Sequence, residues 1–278
     1  MARLPFPKPR PERQALLRSI QNPEELIERR RRAIYETLLS GSSYLRAGNF
    51  HAIGVADLQR CMDHYDQLFF NRALAKMVDE EGAGQVELRL SDRLSRAAGK
   101  TIVRRKQVAS LFGTRVETHY EIAISTFLLF QSFDGHERSI TIGGLVCRDR
   151  LEALQRIFEH ELIHLAEFLA WGKSSCSAAQ YRDLSGRIFG HAGVHHDLVT
   201  AREIAAEQHG VRVGDLVQFY LDHQQVIGRV NRITKRATIL VDDPSGRLFT
   251  DGGRYQIYYV PLAMLKKVES EQPRVGEM

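Results

Sequence analysis

The chain has 278 residues, 43% of them hydrophobic and 26% charged, and carries a formal net charge of +5. This is the composition of an ordinary folded protein with one large or two modest domains, and no apolar run reaches the roughly 18 residues that a membrane helix needs. Three scattered cysteines, Cys61, Cys147 and Cys176, exclude a disulfide framework and a C-x-x-C zinc ribbon.

Residues 1–22 are proline-rich and basic, without the apolar core of a signal peptide, and read as a flexible leader of a cytoplasmic protein. Asn22 can cap a helix that starts at Pro23 and runs to about Leu39. It carries Arg29-Arg30-Arg31-Arg32, which reads more readily as a solvated face than as a phosphate-binding patch. A helix is predicted over residues 55–77 from the spacing of Leu58, Met62, Tyr65, Leu68, Phe69 and Leu74. Period-two alternation gives a strand at 86–90, and 101–105 and 120–125 are further short strands, with Gly99 in a turn. A helix over 127–133 and a short strand or loop at 139–142 follow.

The next helix carries the chemistry. Asp149 can cap it, Glu152 completes a D-x-x-E box, and Gly172 ends it, giving about 22 residues. Leu151, Leu154, Phe158, Leu162, Leu165 and Leu169 form its apolar stripe. Within it stands His160-Glu161-Leu162-Ile163-His164, an H-E-x-x-H pattern. Histidines at i and i+4 lie about 40° apart around the axis, close enough to share one ion. Their imidazoles suit Zn²⁺, and Glu161 is placed to take a proton from bound water.

Such a site normally has three protein ligands plus water. Glu167 lies about 10 Å along the helix from His160, too far to share the ion. After a helix predicted over 177–189, the cluster Gly190-His191-Ala192-Gly193-Val194-His195-His196 offers His191 first, then His195 or His196. Glu203 or Glu207, on a helix predicted over 198–209, are the carboxylate alternatives.

From Val211 the pattern changes to short strands at 216–220, 226–233, 237–241 and 255–260, with turns at Pro244-Ser245-Gly246 and Asp251-Gly252-Gly253. This spacing predicts a small all-β barrel over 211–268, with a disordered polar tail from 269.

Tyr65-Asp66-Gln67-Leu68-Phe69-Phe70-Asn71, the stretch 88–100, Ile122-Ala123-Ile124-Ser125, the H-E-x-x-H helix and Gly190-His191 occur in that order. Together, over about residues 55–205, they resemble the SprT-like zinc metallopeptidases, the family of the Spartan DNA–protein-crosslink proteases. The resemblance implies an α+β, zincin-type domain over 23–210 with a small sheet beside the active-site helix. It also implies Zn²⁺ held by His160, His164 and His191, with Glu161 as general base. The chain departs from the family where Ala192 follows His191, where His195 takes an aromatic position, and in lacking the cysteine ribbon.

Val213-Gly214-Asp215-Leu216-Val217 and Ile227-Gly228-Arg229-Val230 resemble a KOW or SH3-like barrel. Arg229, Arg232, Lys235 and Arg236, with Tyr255, Tyr258 and Tyr259, could there meet DNA or RNA. The expected function is a zinc endopeptidase acting on a protein or peptide substrate, with no membrane partner. The alternative is a zinc-stabilised module that binds nucleic acid or ribosomes with little proteolysis.

Overall fold

A computed structural model describes residues 9–110, 113–133 and 138–268. The chain divides into two compact units, Met1–Leu198 and Val199–Met278.

The first unit opens with α1 (Pro11–Ser19), α2 (Glu24–Gly41), α3 (Val55–Phe70) and α4 (Ala73–Glu80). Helix α1 takes up residues 11–19 of the expected flexible leader; residues 1–8 lie outside the described residues. Pro11 opens it, Leu17 is buried, and the buried Arg13 meets Glu81 at 2.7 Å, Glu80 at 2.9 Å and the Leu169 carbonyl at 3.0 Å. In α2 the buried residues Ile27, Arg31, Ile34 and Leu38 keep the 3- and 4-residue period. Asn22 does not cap it; its amide donates to the Ile188 carbonyl and its oxygen accepts from Arg30.

The helix expected over 55–77 is broken at Asn71 and Arg72, whose backbones are left-handed at φ 51° and 62°. Asp66 explains why the break holds. Its carboxylate accepts from the Leu74 and Ala75 amides at 2.9 Å each, supplying the cap that α4 otherwise lacks.

Strands β1 (Glu87–Ser91), β2 (Gly99–Ser110) and β3 (Gly113–Ser125) form a mixed sheet in the order β1-β3-β2. β1 runs parallel to β3, with Leu88 opposite Ile122, and β2 runs antiparallel, with Thr101 opposite Ile122. The hairpin β2–β3 is far longer than the two short strands expected. Its outer half sets Val108 and Val116 singly among polar residues, so it shows no apolar period, and the cross-strand charge pair Lys106–Glu117 (3.3 Å) lies there. Gly99 is the first residue of β2 rather than part of a turn.

After α5 (Thr126–Gln131), a small hairpin of β4 (Ile140–Ile142) and β5 (Leu145–Cys147) leads to α6 (Arg150–Trp171) and α7 (Ala179–Phe189). Asp149 caps α6 by accepting from the Glu152 amide at 2.9 Å, and Gly172 ends it in the left-handed region at φ 69°. The expected apolar stripe is one part of a helix buried nearly all round. Every other helix of this unit and the sheet touch α6, which therefore forms the axis of the core.

The second unit holds α8 (Ala201–His209) and strands β6 (Leu216–Leu221), β7 (Gln224–Ile233), β8 (Ala237–Leu248), β9 (Arg254–Val260) and β10 (Lys266–Lys267). The strands form one antiparallel sheet in the order β10-β6-β7-β8-β9. The expected closed barrel is thus an open sheet among the described residues, ending in a two-residue strand at one edge and β9 at the other. The turn expected at Pro244-Ser245-Gly246 is a bulged stretch inside β8, where the register shifts between Asp242 and Arg247. The tail expected from residue 269 lies outside the described residues.

Candidate metal centre and active site

Helix α6 presents His160, Glu161 and His164 at the steps its 100° turn dictates. The Nε2 atoms of His160 and His164 lie 3.1 Å apart, so both rings aim at one point. Burial, first of all, holds both rings in the neutral form that ligates a metal, lowering His160 to a pKa of about 3 and His164 to about 4. Tyr181 of α7 supports the pair. Its ring centre lies 5.1 Å from that of His160 and 4.7 Å from that of His164, and its hydroxyl donates to the His160 carbonyl at 3.0 Å.

His164 has an outer support that fixes its tautomer. Its Nδ1 lies 2.6 Å from Ser174 Oγ, and Ser174 donates onward to Glu167 Oε2 at 2.5 Å. Because that serine proton is spent on the carboxylate, Ser174 accepts from His164 Nδ1–H, which leaves Nε2 bare for an ion. Gln180 donates to the other oxygen of Glu167 at 2.7 Å. Glu167, too distant to join the histidine pair, thus orients the ring of His164.

Glu161 is buried, and desolvation pushes its carboxyl up to about 7 against the opposing hydrogen bond from Thr101. Thr101 Oγ1 sits 2.7 Å from Oε2. Gly99 leaves room for the carboxyl, since a Cβ there would come within 2.7 Å of Glu161 Oε1. The cleft in front of Glu161 is bordered by residues 96–99, by Ile142 and by 194–196.

The expected third ligand, His191, is placed elsewhere. Its Nε2 lies 2.8 Å from Glu159 Oε2 in the core, and it does not share the point between His160 and His164. Glu159 is a fully buried carboxylate and needs compensation. Arg31 embraces it at 2.8 and 2.7 Å, Tyr65 donates at 2.8 Å and Arg156 at 2.9 Å. Despite its desolvation, these cations and donors hold its pKa well below the usual carboxylate range. Arg31 is therefore neither on a solvated face nor in a phosphate patch, and Arg30 stacks over the Phe69 ring at 5.3 Å. His195 and His196 border the cleft without joining the ligand group. Glu203 makes a capping box with Thr200 on α8, and Glu207 also lies in the second unit.

Among the described residues, the side chain that does share the point between His160 and His164 is Cys176. The ligand atoms of these three all lie within 4.8 Å of one another. Two imidazoles and a thiol are a donor set that suits Zn²⁺. A second group, Glu87, His119 and Glu121, is less suited, because Arg89 and Arg104 already neutralise Glu121.

A paired-histidine helix with a buried glutamate facing a cleft is an arrangement of the metallopeptidase-like kind. Residues 58–188 match the SprT-like family, a segment that takes in the whole of this helix and Cys176 and stops short of Gly190-His191. No curated protein and no solved structure matches the chain.

Proposed function

We propose that the 1–198 unit is a zinc-dependent endopeptidase of the SprT-like type, with Glu161 as its general base. The observation that best supports this is the Glu161 carboxyl, buried yet bordering the cleft, beside the histidine pair and tethered by Thr101. A Zn²⁺ held by His160 and His164 would supply Lewis acidity toward a peptide carbonyl and make water a better nucleophile. Glu161 would accept the proton of the attacking water on the oxygen that Thr101 leaves free, then pass it to the leaving amine. Strand β2 is an edge strand whose first residues flank Glu161, so an extended peptide can add alongside it.

The substrate class is proteins bound to nucleic acid. In the second unit Arg232 and Tyr259 both stand opposite Thr238, in one row across β7, β8 and β9. Tyr259 is 66% exposed, and Arg247 and Phe249 border the same groove. Arginines for phosphates and rings for bases are what a single strand needs.

The test is Glu161→Gln. It should keep zinc and abolish peptide cleavage, and retained cleavage would end the reading. Salt-dependent binding of a single-stranded oligonucleotide, weakened in Arg232→Ala and Tyr259→Ala, tests the substrate class separately.

A further inference from the structure

We infer that Cys176 is the third protein ligand, so that the centre is a two-histidine, one-thiolate site rather than the three-histidine site expected from sequence. The inference rests on reading His160 and His164 as metal ligands. Tetrahedral ligands at ordinary Zn–N and Zn–S lengths stand about 3.3–3.8 Å from one another. The His160–His164 pair at 3.1 Å is close to that spacing, and Cys176 Sγ is within 4.8 Å of both rings. The sulfur has at most about 1 Å to close to reach the outer end of that spacing.

The loop that carries Cys176 is held in place from both sides. Before it, Ser174 bridges His164 and Glu167. After it, the Ala178 amide donates to the Ser175 carbonyl at 3.0 Å, Gln180 donates to Glu167, and the Tyr181 ring packs on both histidines. One carboxylate, Glu167, therefore fixes both the ring of His164 and the two ends of the loop that brings the sulfur. His191 is engaged by Glu159, and the other two cysteines, Cys61 and Cys147, are buried and outside the ligand group.

A thiolate changes the centre's chemistry. It brings a negative charge that a third imidazole lacks, leaving the loaded centre one positive charge lower, and it favours soft metals. It also ties metal uptake to release of the thiol proton.

The test uses the full chain stripped of metal. It is loaded with Co²⁺ to look for the near-ultraviolet thiolate-to-cobalt charge-transfer band, and its Zn²⁺ affinity is measured by competition with a chelator. The wild type should show the band. Cys176→Ser should lose it and bind Zn²⁺ more than about 10-fold weaker, since even an outer partner of a ligand costs that much. Cys176→His should recover affinity without the band. Glu161→Gln should keep both. A Co²⁺-loaded wild type without the band, or Cys176→Ser with wild-type affinity, overturns Cys176 as ligand while leaving the histidine pair in place. A wild type that takes up no metal overturns both.

Discussion

Thr101 Oγ1 lies 2.7 Å from Glu161 Oε2 and 3.0 Å from the Glu161 carbonyl oxygen, so one hydroxyl on β2 spans the main chain and the side chain of the same residue. A hydroxyl has a single proton. Pointed at Oε2 it favours the ionised form, and it can stay there when Oε1 takes up a proton, because the neutral carboxyl still offers a lone pair on Oε2. The contact therefore survives in both protonation states, as the proton transfer proposed for Glu161 requires. Thr101→Val should lower kcat about 10-fold, a fraction of what general acid–base catalysis contributes, with zinc content unchanged. Thr101→Ser should restore most of it. Steady-state kinetics beside metal analysis checks this, and an unchanged kcat in the valine variant would remove Thr101 from the reaction.

The His164–Ser174–Glu167 chain predicts a change in metal affinity. Ser174→Ala leaves His164 Nδ1–H without its acceptor and frees the ring to turn. Zinc binding should weaken about 10–100-fold, read by chelator competition, with the far-ultraviolet circular dichroism of the wild type. An unaffected affinity would show that the ring is oriented by packing on Tyr181 alone.

The Arg31–Glu159 pair predicts a stability effect remote from the cleft. Arg31→Met leaves a buried carboxylate short of its main cation, which should cost about 3–5 kcal/mol of unfolding free energy in urea titration. A loss below about 1 kcal/mol would mean that Tyr65, Arg156 and His191 suffice to hold the charge.

Glu121 predicts a dependence on pH. It is buried, and although desolvation works against ionisation, Arg89 and Arg104 hold its pKa below the ordinary 4.5. A carboxyl with a depressed folded-state pKa stabilises fully above its unfolded value, and that contribution is lost as pH falls through the folded one. The wild type should thus lose stability on acidification below about pH 4.5, and Glu121→Gln should lose less over the same interval. Parallel slopes for the two proteins would exclude Glu121 as a source of the acid sensitivity.

The legible parts of this chain are those whose signals are local. Helix α6 could be placed from Asp149 to Gly172 because cap, apolar period and terminator lie within one segment. The kink at Asn71 was hidden because its cause, Asp66, is a side chain capping the next helix from inside the previous one. Arg31 carried an overlooked signal, since it shares the spacing of Ile27, Ile34 and Leu38 and must point inward with them. Glu159 carried another: an acid on a helix apolar all round needs charge partners and hydrogen-bond donors, and His191 is one of the groups that hydrogen-bond it. Cys176 has no second cysteine nearby in the sequence to mark it, whereas a metal needs only one beside two histidines. No local pattern specifies that the loop after Gly172 returns to the histidines; that follows from Ser174 and Gln180 both finding Glu167.

Glu159, His160 and Glu161 are consecutive, each turned about 100° from the last. The first is gripped by side chains from α2, α3, α6 itself and the segment after α7. A helix gripped in that way can neither spin nor slide without dragging a buried charge off its partners. The electrostatic clamp on Glu159 thereby acts as an indexing pin: it sets the angle at which the next two residues face the cleft, so their aim is borrowed from a charge that is itself shut away from it.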